Sequence, residues 1–369
     1  VNQHVLCLNT GSSSLKFALY NQSDLENAVA QGSAEKIGLA KSALAVKVHG
    51  QAVLSHSLSL SSYKQAVEEI FRLLKKAELP KPNGCVHRIV HGGAHLVEPV
   101  LITQKVRNDL EELVALAPLH LPSELSVLDA TVANYPGIPQ IACFDTAFHQ
   151  RMPDVAKRLP IARSFWVDGI RRYGFHGLSY ESIVSQLGAA IPKRVIIAHL
   201  GNGCSMVALK DGVPQDTTMG LTPTGGLMMG TRSGDLDPGV LFYLLRNPTK
   251  RAQDSIAQTE YVLNDEAGLL GVSGLTRNME ELLKTESTPA REAVELFCYC
   301  AKKALGSLYT VLGGVDALVF TGGMGENSSL IRARICEGLE FLKSPCQTRV
   351  LHTNENRVMA KHALNLLRR

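Results

Sequence analysis

Two segments of this chain repeat one plan. Residues 5–21 read VLCLNTGSSSLKFALYN and residues 195–211 read VIIAHLGNGCSMVALKD, an alignment without a gap at a spacing of 190. Each is an apolar run, a Gly-bearing tight turn and a second apolar run, the pattern of a strand–turn–strand hairpin. Turns rich in Gly and Ser point several backbone N–H groups one way, which makes a cradle for phosphate. Two such turns, spaced by close to half of 369 residues, predict a nucleotide clasped between two related domains. Two unrelated hairpins with ordinary turns are the alternative. The ungapped register and the spacing weigh against it.

Length agrees with two domains, each large enough to bury a core. A formal charge of +4 is too small to argue for nucleic acid, and one tryptophan, Trp166, offers no base-stacking platform. No apolar stretch approaches membrane-span length, and the first residues lack a basic stretch followed by a plain apolar one. Eight cysteines are scattered without a CxxC, several inside apolar strands, as reduced thiols would be. The expectation is a cytoplasmic protein with no nucleic-acid or membrane partner.

Strand and helix periods alternate along the chain, predicting an α/β class with mixed sheets. After the first hairpin, residues 42–60 read as further strands. Helix periods follow over 63–79, 104–117 and 122–134, with strands at 85–90 and 141–144. The second half has helices near 237–246, 250–263, 278–284, 288–313 and 328–341. A strand at 317–320 runs into the glycine loop Gly322-Gly323-Met324-Gly325, and a strand at 348–352 precedes a terminal helix from about 355.

The turn Asn9-Thr10-Gly11-Ser12-Ser13-Ser14-Leu15-Lys16 is a phosphate signal of moderate specificity. It is not a Walker A loop, because it lacks GxxxxGK and joins strand to strand. Its hydroxyls and amides suit phosphate, with Lys16 nearby as a point charge. The glycine loop after 317–320 permits close approach of a nucleotide to backbone, a weak signal alone. Arg88, Arg232, His120, His176, Asp145 and Glu355 stand at strand ends or in Gly/Pro-rich loops, where sites are usually built. Taken singly, each is more often structural than catalytic. His87 and His91 have the spacing of a helical metal pair, but 88–90 reads as strand, which separates them by about 13 Å. A metal here would be Mg²⁺ held through one or two carboxylates and nucleotide phosphates.

Taken together, HRIVHGG at 87–93, APLHLP at 117–122, FDTAFHQRMP at 144–153, RRYGFHG at 171–177, HLGNGCS at 199–205, MGTRSGDLDP at 229–238, FTGGMGENS at 320–328 and TNE at 353–355 resemble the acetate kinase family. The resemblance covers nearly the whole chain in family order. It implies duplicated actin-like (ribonuclease H-like) ATPase domains, each a mixed sheet flanked by helices. The first would span 1–149 plus about 357–369, the second 150–356, with a hinge near 150 and the active site in the cleft. It also implies a homodimer through the second domain, and transfer from ATP to acetate giving acetyl phosphate and ADP.

By the same resemblance, Arg88, Arg232, His176 and His120 would stabilise the transferring phosphoryl group, with Asp145 as a further catalytic residue. Asp145 and Glu355, with Asn9, would organise Mg²⁺, Mn²⁺ being the alternative. Ser12, Ser14, Lys16, His199, Gly201, Asn202 and Gly203 would hold nucleotide phosphates. Gly322, Gly323, Met324, Gly325, Glu326, Asn327 and Asn278 would hold the rest of the nucleotide. Val90, Leu119, Phe175 and Pro223 would wall a small acyl pocket that favours acetate over propionate. The chain departs from the family at Leu121 (usually Asn), at Gly225 (usually Glu), and at Asn278 and Glu280 (usually Asp-x-Arg). It is also short between 342 and 353. A propionate-preferring kinase and a degenerate nucleotide-sensing domain are the rival readings.

Overall fold

The computed structural model describes residues 3–11, 13–39, 41–247, 255–339 and 346–368. Contacts divide the chain into two compact units, Val1–Phe148 with Asn354–Arg369, and His149–Thr353.

In the first unit, β1 (His4–Thr10), β2 (Ser14–Asn21), β3 (Ala30–Glu35), β4 (Ser42–Val48) and β5 (Gln51–Leu58) form an antiparallel meander. Helix α1 (Tyr63–Lys76) follows, then β6 (Gly84–Ile89), β7 (Val100–Leu101), α2 (Gln104–Glu112), α3 (Leu121–Asn134) and β8 (Gln140–Phe144). β6 runs parallel to β1, and β8 parallel to β6, giving the order β5-β4-β3-β2-β1-β6-β8-β7. The Ser62 hydroxyl caps α1 by accepting from the Gln65 N–H, and Val67, Ile70, Phe71 and Leu74 form its buried stripe. They pack in one core with Leu6, Leu8, Leu15, Phe17 and Leu19 of the hairpin. The helix expected over 104–117 stops at Glu112 and tightens into a 3-10 turn, Leu113–Leu116. Pro118 disfavours helical backbone at Ala117, which sits at φ −145°.

The second unit contains α4 (Asp154–Lys157), α5 (Arg163–Val167), α6 (Gly177–Leu187), β9 (Arg194–Leu200), β10 (Cys204–Lys210) and β11 (Val213–Thr217). There follow α7 (Pro238–Arg246), α8 (Ser255–Asp265), α9 (Gly268–Ser273), α10 (Met279–Lys284) and the long α11 (Thr288–Leu312). The unit ends with β12 (Ala317–Thr321), α12 (Gly322–Asn327), α13 (Ser329–Cys336) and β13 (Gln347–Val350). Its sheet order is β11-β10-β9-β12-β13. The last helix, α14 (Glu355–Leu367), packs in the first unit against β1, β2 and β6.

Strands β3-β2-β1-β6-β8 and β11-β10-β9-β12-β13 have the same order and the same directions. Each unit is therefore a mixed sheet flanked by helices on one duplicated, actin-like plan. β1 and β9 share their bounds at the 190-residue offset and their burial pattern.

The ungapped repeat needs one correction. Thr10 pairs with Leu15 across the first turn, but Leu200 pairs with Cys204 across the second. The second turn is one residue shorter, so the offset holds for the first strand and slips on the second. A one-residue slip moves every side chain to the other face. The ladder thus matches Lys16, opposite Asn9, with Ser205, opposite His199. Sequence alignment alone matches exposed Lys16 with buried Met206.

Candidate active site

The C-terminal ends of parallel β1, β6 and β8 gather one residue set in the first unit. Such ends are where open α/β sheets present ligands to backbone turns and helix starts. Asn9 is near the end of β1, Arg88 near the end of β6, and Asp145 directly follows β8. Glu355 opens α14, and its Oε2 accepts from Asn9 Nδ2 at 2.7 Å. Arg88 donates from Nε (3.1 Å) and Nη2 (2.5 Å) to Asp145 Oδ2, and from Nη1 to the Thr10 carbonyl at 2.9 Å. The Asp145 side chain is fully buried and that of Arg88 is 13% exposed. A guanidinium has five N–H donors. Among the described residues, two of these remain, one on Nη1 and one on Nη2. Burial alone disfavours the Arg88 charge, but Asp145, Glu355 and Glu124 outweigh it and raise the pKa above its ordinary value.

Glu124 was not legible as a site residue. It lies in the first turn of α3, where an acid reads as ordinary complement to a helix start. Here it is buried, and both its carboxyl oxygens lie within 3.2 Å of the Val90 N–H that they accept from. Burial, opposed by Arg88, pushes its pKa up to about 8. His120 is nearly buried at the N-terminal boundary of α3, and its carbonyl accepts from the Ser123 hydroxyl at 2.7 Å. Val90 is buried, whereas Leu119, also expected in the wall, is 46% exposed. Ser14 accepts the Gly11 N–H through its carbonyl at 2.8 Å, closing the first turn. Lys16 is exposed on β2, and Ser12 lies outside the described residues.

The second unit gathers its own set around the Gly201-Asn202-Gly203 turn. Gly201 N–H donates to the Gly203 carbonyl at 3.1 Å, and Asn202 accepts from Gly230 N–H at 3.2 Å. A methyl group placed on Gly203 would lie 3.2 Å from His176 Nε2 and 3.8 Å from Arg232 Nη1. One on Gly201 would lie 3.8 Å from His199 Nε2 and 3.9 Å from the Gly323 nitrogen. The His176, His199 and Arg232 side chains and the Gly323 backbone thus converge on one turn, where a Cβ on Gly203 would press closely on the His176 ring. His176 stands before α6 in left-handed backbone, φ 59°, and its ring centroid is 4.5 Å from that of His199. A non-glycine residue held there marks a conformation that the surroundings over-determine. Its Nδ1 is 2.9 Å from Ser205 Oγ. Arg232 Nη1 donates to the Pro223 carbonyl at 3.2 Å. Phe175 is buried, and its carbonyl accepts from His149 Nε2 at 2.9 Å. Burial lowers the His149 pKa to about 4.

Gly322–Asn327 is a short helix rather than the loop expected. Gly322 turns the chain at φ 78° directly after β12, where an added Cβ would meet the Leu200 carbonyl at 2.8 Å. Glu326 then accepts from the Gly322 N–H (2.9 Å) and the Thr321 hydroxyl (3.2 Å), and its other oxygen pairs with His352 Nδ1 at 2.6 Å. Asn327 donates to the Gly323 carbonyl, and the Met324 carbonyl accepts from Ser328 N–H. Gly325, within this helix, is buried. Asn278 is exposed and caps α10, accepting from the Glu280 and Glu281 N–H groups, while Glu280 pairs with Lys284.

The profile of the Acetokinase family matches residues 4–362. The chain belongs to the acetokinase family. The acetate kinase of Methylocella silvestris is 38% identical over 98% of both chains. A crystal structure of Porphyromonas gingivalis acetate kinase, 34% identical, superposes with TM-score 0.86 over 99% of this chain and 100% of that one. A Francisella tularensis propionate kinase structure, also 34% identical, superposes with TM-score 0.90 over 98% of each. This acetokinase-family chain is accordingly an enzyme, a phosphotransferase of the ATP-using kinase type.

Proposed function

We propose that the chain transfers the γ-phosphoryl group of ATP directly and reversibly to acetate, giving acetyl phosphate and ADP. The observation that carries this reading is Arg88, locked by Asp145 and Thr10 with two donors remaining. A planar fork of that kind suits carboxylate or phosphoryl oxygens better than a lysine. A carboxylate nucleophile is already ionised at neutral pH and needs no general base. Catalysis then consists of alignment and of positive charge for the phosphoryl oxygens. Arg88 serves the acyl and phosphoryl oxygens, and His120, which follows Leu119 in sequence, assists it. His176 Nε2 and Arg232 serve the phosphoryl group from the Gly201–Gly203 turn, and His199 and Gly323 serve the nucleotide phosphates. Each preorganised donor of this type is worth about 2.7–4 kcal/mol in comparable sites.

Mg²⁺ fits the first-unit set. Among the described residues no three His, Cys, Asp or Glu side chains are grouped to cage a metal. Mg²⁺ needs no such cage, since it is usually held by one or two carboxylates together with nucleotide phosphates and water. Asp145 and Glu355, with Asn9 orienting Glu355, supply that donor set. Bound there, Mg²⁺ would neutralise charge on the phosphates.

Val90, Leu119, Phe175 and Pro223 remain our assignment for the acyl wall. One methylene changes discrimination by only about 1–3 kcal/mol, so propionate should be a slower substrate. The homodimer is supported by α7, PGVLFYLLR, which buries none of its residues and leaves Leu241, Phe242 and Tyr243 36%, 56% and 67% exposed. An apolar face of that kind marks an association surface. A cytoplasmic location is supported by eight cysteines that form no disulfide with one another.

The test is acyl phosphate formation, trapped as hydroxamate, from MgATP with acetate, propionate or butyrate at matched concentrations. Acetate ranked first supports the reading. Propionate first keeps the reaction and overturns the Val90 wall. No product with any acid, despite ATP binding, favours a sensing domain.

A further inference from the structure

His176 is held by more than its helix. Its Nδ1 lies 2.9 Å from Ser205 Oγ, and that oxygen also makes a short hydrogen bond with Tyr180 Oη. Ser205 and Tyr180 are both fully buried. Tyr180 lies one turn along α6 from His176, and its N–H donates to the His176 carbonyl at 3.0 Å. The rigid helix thus fixes the distance between the two ends of the chain Tyr180–Ser205–His176. Ser205 comes from β10, where it pairs with His199, whose ring lies against that of His176. The ring of His149 meets Tyr180 edge-on at 5.7 Å, 82° between planes, and braces its far side.

We propose that Ser205, oriented by Tyr180, is a positioning residue that holds neutral His176 as the tautomer protonated on Nε2. A serine hydroxyl has one proton to donate and two lone pairs. A phenol is the stronger donor and, with its oxygen conjugated to the ring, the weaker acceptor. Tyr180 therefore donates to Ser205 Oγ, and Ser205 donates to Nδ1. The ring proton is left on Nε2, the nitrogen that approaches Gly203. Such a partner behind a functional histidine sets which nitrogen carries the proton. The significance of this tautomer rests on the proposed kinase reading, in which Nε2–H donates to the phosphoryl group. The tautomer itself does not.

The test is long-range ¹H–¹⁵N correlation NMR on the full chain labelled at histidine, with the His176 ring assigned by its loss in His176→Gln. The expected wild-type spectrum shows Nδ1 unprotonated and Nε2 protonated at neutral pH. Ser205→Ala should bring the two nitrogens toward averaged shifts and lower kcat about 10- to 100-fold with KM for ATP changed by less than about twofold. Tyr180→Phe should move both readouts the same way but less. Ser205→Thr, which keeps the hydroxyl, should restore the tautomer. A wild-type ring protonated on Nδ1 overturns the proposal. So does an unchanged tautomer in both Ser205→Ala and Tyr180→Phe, and either variant suffices if the other does not fold. A wild-type chain that forms no acyl phosphate yet shows the Nε2–H ring defeats the kinase reading alone.

Discussion

Asn9 and Glu355 stand 346 residues apart in sequence and share a hydrogen bond of 2.7 Å, so the end of the first strand and the start of the last helix are fastened at one point. Glu355→Gln preserves an acceptor for Asn9 and removes the charge. We expect stability to change little and the Mg²⁺ concentration for half-maximal activity to rise about 10- to 100-fold. A Mg²⁺ titration at fixed ATP measures this, and an unshifted midpoint would remove Glu355 from the metal.

Arg88 is the counter-charge of a fully buried Asp145. Arg88→Met leaves that carboxylate uncompensated, which costs about 3–5 kcal/mol when a buried pair is broken from one side. Asp145→Asn added to Arg88→Met should recover part of the loss because no buried charge remains. Urea unfolding of the two variants decides it. Equal stabilities would mean that Asp145 carries no uncompensated charge in Arg88→Met.

Three buried groups set opposing pH limbs of stability. His87 and His149 are held neutral by burial, their pKa values lowered from 6.5 to about 4. Their contribution is present above pH 6.5 and is lost as pH falls toward 4. Glu124 is raised from 4.5 to about 8, so its contribution is full below 4.5 and is lost as pH rises toward 8. From 4.5 to 6.5 two histidines outweigh one glutamate, and above 6.5 Glu124 acts alone. Calorimetric Tm should therefore peak near pH 6.5, and Glu124→Gln should flatten the alkaline side. A wild-type Tm that climbs from pH 6.5 to 8 would contradict the assignment.

Gly203 and Gly322 should respond differently to alanine. At Gly203 the added carbon meets His176 Nε2 at 3.2 Å, a contact relieved by a few tenths of an ångström in a side chain. We expect an unchanged Tm and a kcat lowered about tenfold by misplacement of the ring. At Gly322 the backbone is left-handed and the carbon meets the Leu200 carbonyl at 2.8 Å. That variant should lose stability first. Thermal melts beside kinetics separate the two, and a normal kcat in Gly203→Ala would remove His176 from the reaction.

Much of this was readable in advance where periodicity and turn chemistry agree. The apolar runs of β1 and β9 and the amphipathic stripe of α1 are of this type. β3 was not readable, because AQGSAE carries little apolar signal. It is a strand through its ladders to β2 and β4, and Gly32 leaves room there for the Phe17 ring, whose edge would lie 2.8 Å from an added Cβ. The helix at Gly322–Asn327 was hidden because three glycines read as loop, whereas the Glu326 carboxylate returns to cap the first N–H. Glu124 and Ser205 escaped for a shared reason. Their roles depend on what a segment distant in sequence places beside them, and single positions in a sequence carry no record of that.

The shortened second turn has a consequence for how the two halves diverged. Strand pairing makes Asn9–Lys16 and His199–Ser205 the same rung of an inherited ladder. Backbone geometry at that rung is common property, yet one copy presents an amide and an ammonium, the other an imidazole and a hydroxyl. Duplication freed each copy to keep the scaffold and change the occupant. Exchanging the two hairpins would keep the rung and place each half of the chemistry in the other unit.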